Sequence, residues 1–192
     1  MNQKPVLISC GADWVYGYNP RTGEELWKLK YGILGFSNVS RPIAGHDMFY
    51  LSTCFMKAEI HAYRYEGLDT PELVWKMTKG APKMPSPLLV GKQLYVMNDG
   101  GILTCVDART GELHWRERIG GEFSSSPTLA NGLLYFSDRE GKTIVIKPGK
   151  ELKVIAENQI DGTAHMASIT PYQNSFLLRS EKGLYRIGES KE

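Results

Sequence analysis

The stretch Thr110-Gly111-Glu112-Leu113-His114-Trp115 decides the fold, because it occurs twice: Thr22-Gly23-Glu24-Glu25-Leu26-Trp27 has the same opening and the same distance from Thr to Trp. Trp75 marks an intermediate copy, so the three tryptophans stand 48 and then 40 residues apart. A second marker keeps the same beat. Ser40-Arg41-Pro42-Ile43, Ser86-Pro87-Leu88-Leu89 and Ser126-Pro127-Thr128-Leu129, followed by the weaker Ser168-Ile169-Thr170, place prolines 45 and 40 residues apart. Two markers with one period of about 40 to 45 residues identify a chain built from stacked supersecondary units.

Within each period the pattern is that of strands: short β-branched and aromatic runs bounded by Gly, Asn, Asp and Pro. In the clearest copy the runs are Pro87 to Val90, Gln93 to Met97, Ile102 to Val106 and Leu113 to Ile119. The connections between them are Gly91-Lys92, Asn98-Asp99-Gly100-Gly101 and Ala108-Arg109-Thr110-Gly111. Asn131-Gly132 and Gly91-Lys92 fit tight turns that need positive φ. No segment carries an apolar stripe at helical spacing over ten or more residues, so almost no helix is expected. Four strands per period predict an all-β propeller. The expected division is a partial blade at 6–31, full blades at 36–79, 84–119 and 123–159, and a partial blade at 164–187, an arc of about four and a half blades. A proline after serine is tolerated where a strand has an unpaired edge, which places each Ser-Pro on an innermost strand. Arg41, Ser86, Ser126 and His165 are therefore candidates to line a central channel.

Composition narrows the function. The chain of 192 residues carries 23 Lys and Arg against 21 Asp and Glu, a formal charge of +2. That near-balance gives no concentrated basic surface for a nucleic acid. No run approaches the ~20 apolar residues that span a bilayer, and Val6-Leu7-Ile8 is too short for the apolar core of a signal peptide. Cys10, Cys54 and Cys105 have no paired or zinc-like spacing and are expected as buried or half-buried free thiols.

Cys105-Val106-Asp107-Ala108-Arg109-Thr110-Gly111-Glu112-Leu113-His114-Trp115 resembles the repeat of pyrroloquinoline-quinone-like (PQQ-like) propellers, A-x-D-x-x-T-G-x-x-x-W, with only the leading alanine replaced. Gly17 to Trp27 is a looser copy with Gly17 and Asn19 for Ala and Asp. Ala62 to Trp75 is looser still, and around Lys147-Pro148-Gly149 both Thr-Gly and Trp are gone. The resemblance implies that Trp27, Trp75 and Trp115, with Gly23 and Gly111, dock neighbouring blades. Related rings have seven or eight blades. This arc would thus be the C-terminal half of a ring, or a half-ring completed as a homodimer, since open ends expose apolar faces and strand edges.

The enzymatic members are quinoprotein dehydrogenases that use calcium and a vicinal disulfide. This chain has neither adjacent cysteines nor an acidic calcium loop, so no cofactor is expected. Asp99, Asp107 and Asp138 read as turn residues. Glu140-Gly141-Lys142-Thr143 lacks the earlier glycine of a phosphate loop. His46, His61, His114 and His165 share no ligand spacing and read as surface or turn residues. Ser124-Ser125-Ser126 reads as inner-strand packing. What remains is binding. One face of the arc would gather Tyr31, Ile33, Leu34, Phe36, Phe55 and Met56, rimmed by Lys57, Lys79, Lys83, Arg139 and Glu140, with Phe123 beside them; an apolar cluster rimmed by charge is the make-up of an interface. The expected function is a non-catalytic protein-interaction scaffold of the BamB-like envelope branch, periplasmic by resemblance although no export signal is read. The alternatives are a quinoprotein dehydrogenase fragment or a sugar- or peptide-binding sensor using the channel serines and Arg41.

Overall fold

The computed structural model describes residues 5–31, 37–53, 56–66, 70–160 and 162–188, and among them there is no helix. Blade 1 consists of β1 (Leu7–Cys10), β2 (Trp14–Tyr18) and β3 (Glu25–Lys30). Blade 2 contains β4 (Ile43–Gly45), β5 (Met48–Ser52), β6 (Ile60–Arg64) and β7 (Glu72–Met77). Blade 3 contains β8 (Leu88–Val90), β9 (Gln93–Met97), β10 (Ile102–Asp107) and β11 (Leu113–Arg118). Blade 4 contains β12 (Thr128–Ala130), β13 (Leu133–Ser137), β14 (Lys142–Lys147) and β15 (Lys153–Gln159). Blade 5 contains β16 (Thr170–Tyr172), β17 (Ser175–Arg179) and β18 (Leu184–Gly188). Each blade is an antiparallel meander in chain order. Blade 1 has no counterpart of β4, β8, β12 and β16 among the described residues, and blade 5 has none of the outermost strand.

The hairpins joining the first two strands turn through positive backbone angles. His46 and Asp47 both take φ near +60° (60° and 59°), and Asn131 and Gly132 lie at 48° and 73°. These paired positive values match the right-handed twist of the flanking strands. At Gly91-Lys92 only the glycine is positive, at 57°.

The repeat motif has a packing origin visible in the register. Gly17 faces Trp27, Ala62 faces Trp75 and Cys105 faces Trp115 across the third and fourth strands. A large flat ring on one strand needs a small neighbour directly opposite. Blade 4, which has no tryptophan, inverts the pair as Val145 opposite Ala156. In all four of these blades the register shifts beside the pair, a bulge that turns the outer strand toward the next blade.

The apolar cores lie between blades. Val15 and Trp27 pack with Phe49, Leu51 and Tyr63 between blades 1 and 2. Tyr50, Ile60 and Ala62 pack with Leu94, Val96 and Val106 between blades 2 and 3. Tyr95, Leu103, Cys105 and Trp115 pack with Phe136 and Ile144 between blades 3 and 4. Blade 5 joins through the tilted rings of Tyr135 and Phe176, 4.7 Å apart.

Candidate functional site

Blades 2 and 3 each grip the next with an indole. Trp75 Nε1 donates to the Ala108 carbonyl of blade 3 at 3.0 Å, and Trp115 Nε1 donates to the Gly149 carbonyl of blade 4 at 3.2 Å. The ring of Trp75 lies so close over Gly111 that a Cβ there would stand 2.7 Å from it. Gly111 also holds φ of +74°, so the glycine is required twice, for its backbone conformation and for the flat seat it offers. Gly23 has the same φ of +74° and the same supporting bonds, Gly23 N to the Asn19 carbonyl and Asn19 N to the Glu24 carbonyl, yet nothing among the described residues lies within 4 Å of its seat. Trp27, 5% exposed, packs toward blade 2 on Phe49, 6.1 Å between ring centres.

The inner strands are joined by a ladder. Arg41 N donates to Ser86 Oγ at 2.9 Å, Ser86 N to Ser126 Oγ at 3.0 Å, and Ser126 N to Ser168 Oγ at 2.9 Å. The residue equivalent to Ser86 in blade 2 is therefore Arg41, not Ser40. The register follows Pro42, Pro87 and Pro127, as their spacing in the sequence does. Ser86 is buried and Ser126 half-buried, with their oxygens accepting from backbone N–H groups. Arg41 is exposed at the ladder's start.

The connections entering each inner strand and those between the second and third strands share one face. They touch directly: Phe123 N donates to the Asp99 carbonyl, His165 N to the Arg139 carbonyl, and Lys83 N to Asp99 Oδ2. Two residues ahead of the ladder, equivalent positions hold Val39, Met84, Ser124 and Met166. Val39 is 62% exposed and Met166 66%, and Met56 on the same face is 69% exposed. Arg139 links this rim together, donating from Nε to Ser124 Oγ and from Nη2 to Met84 Sδ at 3.9 Å, while pairing with Glu122 at 3.6 Å.

Several expected surface residues are interior. Tyr31 is buried between blades 1 and 2, where its hydroxyl donates to the Gly11 carbonyl and receives a bond from Asn38 Nδ2. Phe123 is buried because it caps the core between blades 3 and 4. Ile33, Leu34, Phe36, Phe55 and Cys54 lie outside the described residues.

Two histidines expected at the surface or in turns are buried as well. His165, 1% exposed, bridges to Ser180. Burial lowers its pKa against the opposing charge of Asp138, and among the described residues neither ring nitrogen has a partner. His61 belongs to a polar cluster that sequence reasoning missed: Nε2 lies 2.8 Å from Glu59 Oε2 and Nδ1 3.0 Å from Tyr63 OH, while Lys57 Nζ stands 2.9 Å from Glu59 Oε1. The available signal was Glu59-x-His61-x-Tyr63, three polar-capable residues on one side of a strand. Burial pushes the Tyr63 hydroxyl up to about 12. His46, by contrast, sits in its hairpin with Nε2 2.7 Å from the Gly91 carbonyl of the neighbouring hairpin.

This arrangement holds blades together and offers little to a reaction. The Cys10 and Cys105 thiols are each pushed up to about 11 by burial, so neither is a ready nucleophile. Asp107 and Asp138 accept backbone N–H bonds within their own turns, from Arg109 and Thr110 and from Glu140 and Lys142 respectively. A cleft of about 550 Å³ between blades 4 and 5, bounded by Asn131, Gln173, Asn174 and Phe176, has no ionisable side chain among the described residues that line it. Among the described residues no three His, Cys, Asp or Glu side chains gather as a metal site.

Comparison with known proteins agrees with the repeat. Over 82 residues the chain is 33% identical to the outer membrane protein assembly factor BamB of Burkholderia pseudomallei (strain K96243), a match covering 41% of this chain and 22% of that protein. The crystal structure of BamB from Moraxella catarrhalis superposes with a TM-score of 0.70 at 16% identity, covering 96% of this chain and 55% of that one. A europium-containing methanol dehydrogenase superposes with a TM-score of 0.51 at 12% identity, over 63% of this chain and 24% of that one, and shares the fold. The chain thus spans about half the length of the solved BamB structure it resembles. Residues 11–164 match the family described as outer membrane protein assembly factor BamB, and the chain belongs to this family of PQQ-like propellers.

Proposed function

We propose that this chain is a non-catalytic propeller scaffold of outer-membrane protein assembly in the bacterial envelope, binding partner proteins through the face that carries Val39, Met56 and Met166. The observation that carries this reading is the exposure of those three side chains on the face where two sets of connections converge. Methionine is unbranched and adaptable, suited to a surface that must fit another protein, and exposed apolar side chains on one face suit an interface. The dehydrogenase alternative is not favoured, because the buried thiols and turn-bound aspartates supply no acid, base or cofactor cradle. The unfilled indole seat at Gly23 supports completion of the arc by a further blade on that side, with the Pro20 carbonyl, equivalent to that of Ala108, as acceptor for its tryptophan.

The test is made in the source organism. Loss of the protein is expected to lower the level of folded outer-membrane β-barrel proteins. Wild type restores them, and the Met56→Asp/Met166→Asp variant, folded by circular dichroism, does not. Full restoration by that variant, or unchanged barrel levels without the protein, would overturn the proposal.

A further inference from the structure

Blade 5 presents its outer side as a different kind of surface from the blades before it. Phe176 and Leu178 face blade 4, as the Tyr135 contact and the burial of Leu178 require. Alternation then places Ser175, Leu177 and Arg179 of β17 on the opposite side, with Leu184 and Arg186 of β18 paired to Arg179 and Leu177. Arg186 occupies the position held by Gly17, Ala62, Cys105 and Val145 in blades 1 to 4. Those residues lie in the apolar seams between blades, three of them beneath a tryptophan; an arginine there leaves no room for an indole opposite and sets a charge beside Leu177 and Leu184.

The arginine is held ready. Its Nε donates to Ser175 Oγ at 3.0 Å, its Nη2 to Gln173 Oε1 at 3.3 Å, and its guanidinium lies 5.7 Å from the centre of the Tyr172 ring. All three neighbours are neutral. No ion pair involving Arg179 or Arg186 occurs among the described residues. Among the described residues the outer edge of β18 is also unpaired, where β3, β7, β11 and β15 continue the other sheets.

We propose that blade 5 takes an extended acidic segment of a partner protein as its fourth strand, antiparallel to β18, with carboxylates on Arg179 and Arg186. Main-chain bonds to the free edge supply affinity, and alternate side chains supply specificity. Arginine in a preset planar orientation favours a bidentate carboxylate. A second copy of this chain is a poor occupant, because among the described residues the open side of blade 1 presents Lys28 and Lys30 around Trp14, with Glu25 paired to Lys28. The inference rests on the scaffold reading only in supposing that a protein partner exists.

The probe is a pair of fluorescein-labelled octapeptides, Thr-Glu-Val-Glu-Val-Glu-Val-Thr and the same sequence with Lys for Glu, followed by anisotropy against the whole chain. The acidic peptide is expected to bind at least about tenfold more tightly, the size of two partly exposed charge pairs, and to weaken as salt is raised. Arg179→Glu/Arg186→Glu should reverse the preference. The milder Arg186→Gln, checked for an unchanged melting transition, should reduce acidic binding several-fold. Equal binding of the two peptides, no binding of either, or acidic binding indifferent to both variants overturns the proposal. So does a dimer by sedimentation equilibrium that Arg186→Glu dissolves. None of these outcomes bears on barrel-protein levels, which read Met56 and Met166.

Discussion

Glu59 is a single residue whose charge the fold both hides and uses. It is 2% exposed between blades 1 and 2. Burial pushes its pKa up, but the bond to His61 and the contact with Lys57, aided by the charge of Lys76, outweigh it and hold the carboxyl below the ordinary range. A folded-state pKa below the unfolded one means stability that is present above the unfolded value, about 4.3. That stability is lost as pH falls through the lower folded value. Glu59→Gln should therefore cost about 2 kcal/mol at neutral pH, the scale of breaking a buried pair that has one solvent-exposed partner. The deficit relative to wild type should shrink as pH falls below about 4. Urea unfolding of both proteins at pH 7 and at the lowest pH where both remain folded checks this; an equal deficit at the two pH values would mean that ionisation of Glu59 contributes nothing.

At the scale of the strand, the tryptophan copies and the copy that lost its tryptophan obey one volume rule. Trp115 stands opposite Cys105, and Ala156 stands opposite Val145. Ala156→Trp alone should be overpacked against Val145 and lose about 1 to 3 kcal/mol. Adding Val145→Ala should recover part of that loss, with a coupling of about 1 kcal/mol. Strict additivity in a double-mutant cycle would show that the pair is not a unit. The same rule explains what could be read in advance. Tryptophan, Thr-Gly and proline each carry a local constraint, so the strands, turns and blade period were legible. The ladder register was legible from the prolines, which align Arg41 with Ser86 and Ser126, whereas the serines alone leave Ser40 and Arg41 to choose between. Burial of Tyr31, Phe123 and His165 was hidden for another reason. Each lies in an irregular connection, where no alternation shows which side chain turns inward, and each is drawn in by contacts from a neighbouring repeat.

Across the whole molecule, a blade touches only its neighbours, so stability is close to a sum of blade and seam contributions. Blades 2, 3 and 4 have two seams each and blades 1 and 5 have one. Blade 5 is further weakened by its polar outer side and by the exposure of Leu184 at 66%. Amide exchange should therefore be slowest in β9, β10, β13 and β14 and fastest in β17 and β18. The expected gap is at least about tenfold, the least that a local deficit of about 1.4 kcal/mol produces. Uniform exchange across the five sheets would mean that the arc opens only as a whole. The acidic octapeptide sharpens the measurement, because a fourth strand on β18 must protect that strand's outward amides while leaving β1, at the other end of the arc, exchanging as before. Slowing at β1 as well would instead place the peptide in contact with both ends or stabilise the arc globally, and the assignment of its site to Arg179 and Arg186 would then fail.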